Sequence, residues 1–321
     1  MENFTAKQYN NYIQHLSTML KVNIDGALSV FDLDGKVEKE FFKSLETSPF
    51  LGLINIIKTT EPKGEALGIT LPIPSQTNIN QQDRTPEKGH ISPPQKFHCE
   101  QIDLDTYISY PKLDRIAGVL EVDFNKNFDN HLTTEILLSL LLVGWNGKQR
   151  LETSNPAINK LAEDVKKGWL QKIRENAPTK LISLANVGEN QQYKSLNALI
   201  KAGLEKIDNP IKLSGDLIAI CGRNVLSDFP IDAALSTPRM TVSQKLIGGL
   251  KAVGVDYFPA DSILITRLDN LSLYVQKGTI RRIMERNPAK DRLDIYNSLV
   301  ADFIIEDYNA VALIENINII D

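Results

Sequence analysis

Apolar residues at Tyr9, Tyr12, Ile13, Leu16, Met19 and Leu20 recur at helical spacing, with Lys7, Asn10, Gln14 and Ser17 on the opposite face. This period predicts a short amphipathic helix. A second helical pattern runs through Val37, Phe41, Phe42 and Leu45 and stops at Ser48-Pro49, because a residue before proline is pushed out of the helical region. Between the two lies an acidic connector containing Asp25, Gly26, Asp32, Asp34 and Gly35. Two short helices on such a link bury no core alone. They read as an arm that packs on something else.

From Phe50 to Ile57 the chain is apolar and strand-like. Further on, Ile102, Leu104, Thr106, Ile108 and Tyr110 alternate with Asp103, Asp105, Tyr107 and Ser109, the period of two that marks a half-buried strand. Between these stretches, Pro72 to Pro94 is polar and broken by five prolines. A loop of that length without a core of its own is functional or disordered in most folds.

A long helix is predicted from Phe124 to Val143, with Asp123 as N-cap and Gly144 as stop. Its second half (Ile136, Leu137, Leu138, Leu140, Leu141, Leu142) is apolar on nearly every side, so most of its faces should be buried. Asn155-Pro156 is expected to open another helix through Leu161, Val165, Trp169 and Ile173, ending near Pro178. The stretch Asn186 to Gln192 is a candidate boundary, followed by an amphipathic helix through Leu196, Leu199, Ile200, Leu204 and Ile207. The remainder is strand-rich: Leu217 to Cys221, Ala252 to Phe258, Ile263 to Thr266, Leu271 to Gln276, Thr279 to Arg286, Ile295 to Asp307 and Ala310 to Ile320. Helices and strands mix without regular βαβ alternation, which gives an α+β class.

Composition narrows the partners. The 321 residues are 42% hydrophobic, enough for a sizeable core in one large domain or two modest ones. Lys plus Arg total 36 against 40 Asp plus Glu, a formal net charge of -4. A dedicated nucleic-acid binder draws its affinity from a basic excess, so any contact with DNA should be weak and non-specific. Cys99 and Cys221 are too few for a disulfide framework and read as reduced thiols. The first residues lack the basic and apolar regions of a secretory signal. The most apolar run, Ile136 to Val143, is less than half the ~20 residues of a membrane span.

Catalytic motifs are sparse. Ser29-Val30-Phe31-Asp32-Leu33-Asp34-Gly35 resembles the first motif of haloacid-dehalogenase-type phosphatases, whose aspartates attack phosphorus and act as acid/base. Lys36 stands where that family has threonine, and Gly215-Asp216 lacks the second acidic residue needed to hold magnesium. A magnesium-dependent phosphatase using Asp32 and Asp34 is therefore only the alternative reading. No calcium loop, P-loop, dinucleotide fingerprint or nucleophile elbow is complete. No catalytic residue, cofactor or metal ligand is assigned. By contrast, Arg281, Arg282, Glu285, Arg286, Lys290, Asp291, Arg292 and Asp294 crowd into one short stretch. They are either a solvated ribbon face or intersubunit ion pairs, which fix register more than they add affinity.

The stretches Asp164-Val165-Lys166-Lys167-Gly168-Trp169-Leu170-Gln171-Lys172-Ile173-Arg174, Tyr257-Phe258-Pro259-Ala260-Asp261-Ser262-Ile263-Leu264-Ile265-Thr266, Leu268-Asp269-Asn270-Leu271-Ser272-Leu273-Tyr274 and Ile305-Glu306-Asp307-Tyr308 resemble the major capsid proteins of P2-like phages. The likeness extends from about Phe50 to the C-terminus and is weaker before it. It implies an HK97-like fold. Residues 1–49 would be an N-terminal arm, of which about 1–31 serve as a scaffolding segment removed by cleavage near Phe31-Asp32. Residues 50–110 would hold the extended loop and its flanking strands, and 111–191 a peripheral domain with a spine helix at 124–143. Residues 192–276 would form the axial domain, 277–308 the return strands and 309–321 the last axial strand.

The resemblance further implies a structural protein of hexamers and pentamers in an icosahedral head, made in the bacterial cytoplasm and residing in the virion. Its partners would be its own copies, a scaffolding or maturation protease, a portal protein and packaged double-stranded DNA, with no membrane. Arg281, Arg282, Glu285, Arg286, Arg292 and Asp294 are then candidate intersubunit contacts. Lys63, Lys88 and Asn297 could supply the lysine–asparagine cross-link of some relatives, although the P2-like group gives no reason to expect one. An oligomeric compartment protein of the same fold is a weaker reading.

Overall fold

The computed structural model describes residues 28–32, 36–66, 81, 95–119, 124–213, 215–227 and 240–320. Its organising element is the strand Arg292–Ile305, in which Leu293, Ile295, Leu299, Ala301, Phe303 and Ile305 are buried at alternate positions. Alternation puts those residues on one face of the strand. Fourteen residues give it room for four partners: Arg281–Asn287 and Leu271–Gln276 on one edge, Thr106–Ser109 and Glu100–Asp103 on the other, all antiparallel. Leu28–Asp32 adds to the outer edge of Arg281–Asn287, and Asn55–Thr59 pairs in parallel with Leu271–Gln276, completing a seven-stranded sheet.

A second sheet has the order Met240–Ile247, Leu250–Val255, Ile218–Cys221, Ile263–Thr266, Val311–Ile314 and Leu181–Ile182. Its central strands are apolar at every position except Thr266, and the two faces go to different cores. Ile220, Leu264, Val311 and Leu313 join the main core against Leu273, Phe303 and Ile305 of the first sheet. Ala219, Cys221, Ile263, Ile265, Ala312 and Ile314 pack beneath Leu199 and Ile200 of the helix Leu196–Leu204. That helix starts where Ser195 Oγ accepts from the Ala198 amide at 3.3 Å. Leu271–Gln276 belongs to the seven-stranded sheet, whereas Leu181–Ile182 joins the six-stranded one.

The long helix runs from Phe124 to Asn146, and none of the residues from Ile136 to Trp145 is exposed. It does not stop at Gly144. A Cβ there would lie 2.4 Å from the Trp169 ring, so this glycine lets the helix approach that indole closely. The chain instead leaves the helix at Gly147, where a side chain would strike the Lys166 carbonyl at 1.9 Å. Around the contact, Trp145 lies 4.8 Å from Trp169, 5.5 Å from Phe50 and 5.1 Å from Phe258, and Trp169 lies 4.9 Å from Phe303. The Trp169 indole N–H donates to the Ser272 carbonyl at 3.1 Å. This aromatic centre joins the helix to both sheets.

Four expectations are corrected. Asn155-Pro156 opens no long helix; helix returns only at Trp169–Asn176. Asn155 Oδ1 accepts from the Ala157 amide, and Asp164 draws in the Asn155 amide and the Asn159 side chain, closing a compact turn instead. The predicted strand 102–110 is two strands, split at Leu104 and Asp105, which bond the Asn297 carbonyl and amide respectively. It is followed by a helix, Tyr110–Val119. Phe50–Ile57 is a strand only from Asn55, after a 3-10 turn at Leu51–Leu53. Part of the supposed acidic connector is the strand Leu28–Asp32. The predicted helix over Tyr9–Leu20, the residues Asp34, Lys88 and Asp123, and nearly all of Pro72–Pro94 lie outside the described residues.

Candidate assembly interface

The two legs of the long polar loop are the short strands Lys63–Glu65 and Lys96–His98, paired with Gly64 opposite Phe97. Phe97 stacks on Tyr274 with ring centroids 4.7 Å apart, and together with Ala66, Cys99 and Ile304 the two rings form a separate small core. That core lies on the face of the seven-stranded sheet away from the main core, because Tyr274 and Ile304 alternate with Leu273 and Phe303. The two legs are thus held by a small core at their base.

Beside it sits a buried ionic network. Asp302, 2% exposed, accepts from the His98 amide at 2.9 Å and from Lys172 Nζ at 2.9 Å. Lys166 Nζ, equally sequestered, lies 3.3 Å from Asp302, 2.8 Å from Glu100 and 2.7 Å from the His98 carbonyl. Charges taken out of water are tolerated only when paired and hydrogen-bonded. Here that pairing ties the returning leg (His98) and the strand that follows it (Glu100) to the long strand (Asp302) and to the helix Trp169–Asn176 (Lys172). Burial depresses the Lys172 ammonium pKa despite the compensating charge of Asp302. At Glu100 burial acts to raise the carboxyl, yet the hydrogen bond and charge of Lys166, with His98 and Arg150, leave it below its ordinary value. Burial and the nearby Asp302 push the Cys99 thiol up to about 11, so it stays protonated and unreactive.

The sequence did carry a sign of this network: Asp302 interrupts an otherwise apolar run, Ala301 to Ile305, and Lys166 precedes Gly168-Trp169. A charge in a stretch whose neighbours are all buried needs a partner, but only the fold shows which.

The candidate contact residues separate into two groups. In the edge ladder Phe31 stands opposite Arg282 and Asp32 opposite Arg281, so the expected cleavage point falls within a paired strand. Arg281 and Arg286 are exposed. Glu285 is partly buried, opposite Asp294 in the ladder. Arg282 donates to Asn297 Oδ1 at 2.9 Å, and Arg292 pairs with Asp294 at 2.7 Å while lying over the Tyr107 ring at 4.3 Å. Asp294 is buried and also accepts from Asn287 at 2.8 Å. Asp294 and Arg292 thus pair with each other within their own subunit.

The same architecture occurs in known proteins. The family model for the phage major capsid protein, P2 family, matches residues 8–317. The chain belongs to this family of capsid proteins. It is 34% identical to the capsid protein of Escherichia phage P2, over 100% of this chain and 96% of that protein, and 27% identical to the major capsid protein of Serratia phage KSP20, over 99% and 97%. A subunit of the satellite phage P4 procapsid that includes the size determination (Sid) protein superposes with a TM-score of 0.77 at 34% identity, covering 100% of this chain and 99% of that one. The capsid of Cyanophage A-1(L), at 11% identity and a TM-score of 0.50 over 84% of this chain, shares the fold alone. The fold is the α+β, HK97-like capsid fold.

As a member of this capsid family the protein is a structural subunit of a phage virion and not an enzyme. Asp32 lies in an edge strand, and nothing in the family supports the phosphatase reading. Among the described residues no group of three His, Cys, Asp or Glu side chains is placed to hold a metal, and no helix is long and apolar enough to cross a membrane. His98 is exposed and Cys99, just beyond the strand's end, is buried. Asn297 is buried, its amide donating to the Leu104 carbonyl and accepting from Arg282. It presents no free amide to a neighbour's lysine.

Proposed function

We propose that this capsid protein assembles into hexamers and pentamers that close an icosahedral head around double-stranded DNA. The full-length likeness to a P2 capsid protein carries this reading. The seven-stranded sheet with the spine helix acts as the peripheral domain, the six-stranded sheet as the axial domain, and the loop over residues 67–94 reaches across a neighbouring subunit. The anchoring of its legs by Phe97 and the Asp302 network supports that role. The N-terminal segment is removed near Phe31-Asp32 by a maturation protease that also organises the precursor shell, and a portal protein occupies one vertex. With a net charge of -4, contact with the packaged DNA is weak. Synthesis and assembly take place in the bacterial host cytoplasm.

Expression of the full chain with its scaffolding protein, followed by negative-stain imaging, tests the proposal. Closed hollow particles are expected, and soluble monomers alone refute it. Mass spectrometry of purified particles checks the processing step, since an intact segment through Asp32 contradicts it. The exposed Arg281 is the side chain of the charged ribbon best placed to meet a neighbour, and reversing it to Glu should lower particle yield without altering the soluble subunit.

A further inference from the structure

The chain between the spine helix and Trp169, residues 147–168, is built the wrong way round for a surface loop. Its inward groups are small or polar: Ala162 and Val165 pack against the main core, and the Asp164 carboxylate is buried. Its largest apolar side chains point out, Ile158 at 77% exposed, Leu161 at 45% and Leu151 at 42%. Single exposed apolar residues are ordinary, but three held around one turn are a patch of the kind that marks an interaction site.

The segment is also highly ordered for something so exposed. Asp164 Oδ2 accepts from the Asn155 amide at 2.6 Å and from Asn159 Nδ2 at 2.8 Å. The Leu151 amide donates to the Asp164 carbonyl at 3.0 Å, and the Lys148 and Gln149 amides share the Glu163 carbonyl at 2.7 and 3.0 Å. Leu161 donates its amide to the Glu163 side chain at 3.0 Å, and Ala162 is held at φ +58°, a conformation unfavourable for alanine. A loop fixed this firmly loses little further freedom on binding, which is the advantage of a preorganised contact.

We infer that Leu151, Ile158 and Leu161 form a preorganised apolar knob that docks on a second copy of this chain in the assembled shell. The inference rests on the proposed assembly and identifies one of its contacts. Two observations favour a second copy over another occupant. Arg150 donates to the carbonyls of Gln101 at 2.6 Å and Val165 at 3.1 Å, so the knob is fixed to the strand Glu100–Asp103, which directly follows the leg Lys96–His98 of the loop proposed to reach a neighbour. The charges flanking the knob, Glu152 and Lys160, are of both signs, so it carries no field that selects a nucleic acid or repels an identical subunit.

A photo-crosslinking amino acid placed at position 158 of the full chain, co-expressed with its scaffolding protein, tests this. Illumination of purified particles should give a covalent dimer whose mapped peptides both come from this chain, while the unassembled subunit gives none. Particles that give no adduct, or an adduct to a different protein, overturn the inference and leave the assembly reading standing. Failure of the unsubstituted chain to form particles overturns both. Independently, the double variant Ile158→Asp, Leu161→Asp should keep the circular dichroism of the soluble subunit and lower particle yield at least tenfold. Undiminished yield counts against the knob, and if that variant misfolds the crosslink decides.

Discussion

The two sheets solve the burial problem differently. The central strands of the six-stranded sheet are apolar on both faces and lie between two cores, with Leu264 and Leu313 on one side and Ile265 and Ile314 on the other. The seven-stranded sheet has one apolar face, and on the other it keeps a buried charge cluster beside the small core of Phe97, Tyr274 and Ile304. Its strands also come from distant parts of the chain, since Asn55–Thr59 pairs with Leu271–Gln276, and Glu100–Asp103 with Arg292–Ile305. The central strands of the first are covered on both faces among the described residues. The second is a platform whose far face holds Phe97 of the paired strands Lys63–Glu65 and Lys96–His98. Charges suit that task because a hydrogen-bonded ionic network fixes one geometry, whereas apolar packing tolerates several.

The largest effect should come from removing the centre of that network. Asp302→Ala leaves Lys166 and Lys172 buried without their shared counter-ion and the His98 amide without its acceptor. Loss of one partner from a buried ion pair costs about 3–5 kcal/mol. Urea denaturation of the soluble subunit should show this, with faster hydrogen exchange at the His98 amide. An unchanged midpoint would mean that the charges do not hold the loop root.

In the other sheet, Ile265→Val removes one methylene from a fully buried site and should cost about 0.5–1.5 kcal/mol. It should leave exchange at His98 as in the wild type. The two substitutions lie in different clusters, so the double variant should show their sum to within about 0.5 kcal/mol. A larger departure would show that the sheets are coupled through the aromatic centre of Trp145 and Trp169.

This division was partly legible beforehand. Period and length located the spine helix, the helix at Leu196 and most late strands, because burial follows directly from the alternation of apolar residues. Failures came where a residue had a tertiary role that local rules assign otherwise. Gly144 reads as a helix stop but serves a close approach to Trp169. Asn155-Pro156 reads as a helix start, yet Asp164, nine residues later, pulls it into a turn. Within the charged ribbon, only the fold shows which side chains are sequestered: Asp294 is buried and Arg281 is exposed.

The smallest effect separates the sheets by pH. Glu100 has a folded-state pKa lowered from 4.5, so the folded form binds fewer protons than the unfolded one in that window. Its stabilisation is complete above about 4.5 and is lost as pH falls through the lowered folded value. The pair with Lys166 is partly exposed on the Glu100 side, which limits its worth to about 1 kcal/mol or less. The six-stranded sheet contributes at the opposite end of the scale. Burial raises the Cys221 thiol from 9.0 to about 12, so its stabilisation is present below 9.0 and lost as pH rises through about 12. Stability curves of wild type, Glu100→Gln and Cys221→Ala should therefore diverge on opposite limbs, the first variant flattening the acid side and the second the alkaline side. An acid limb unaltered by Glu100→Gln would show that Lys166 is held by Asp302 and the His98 carbonyl alone.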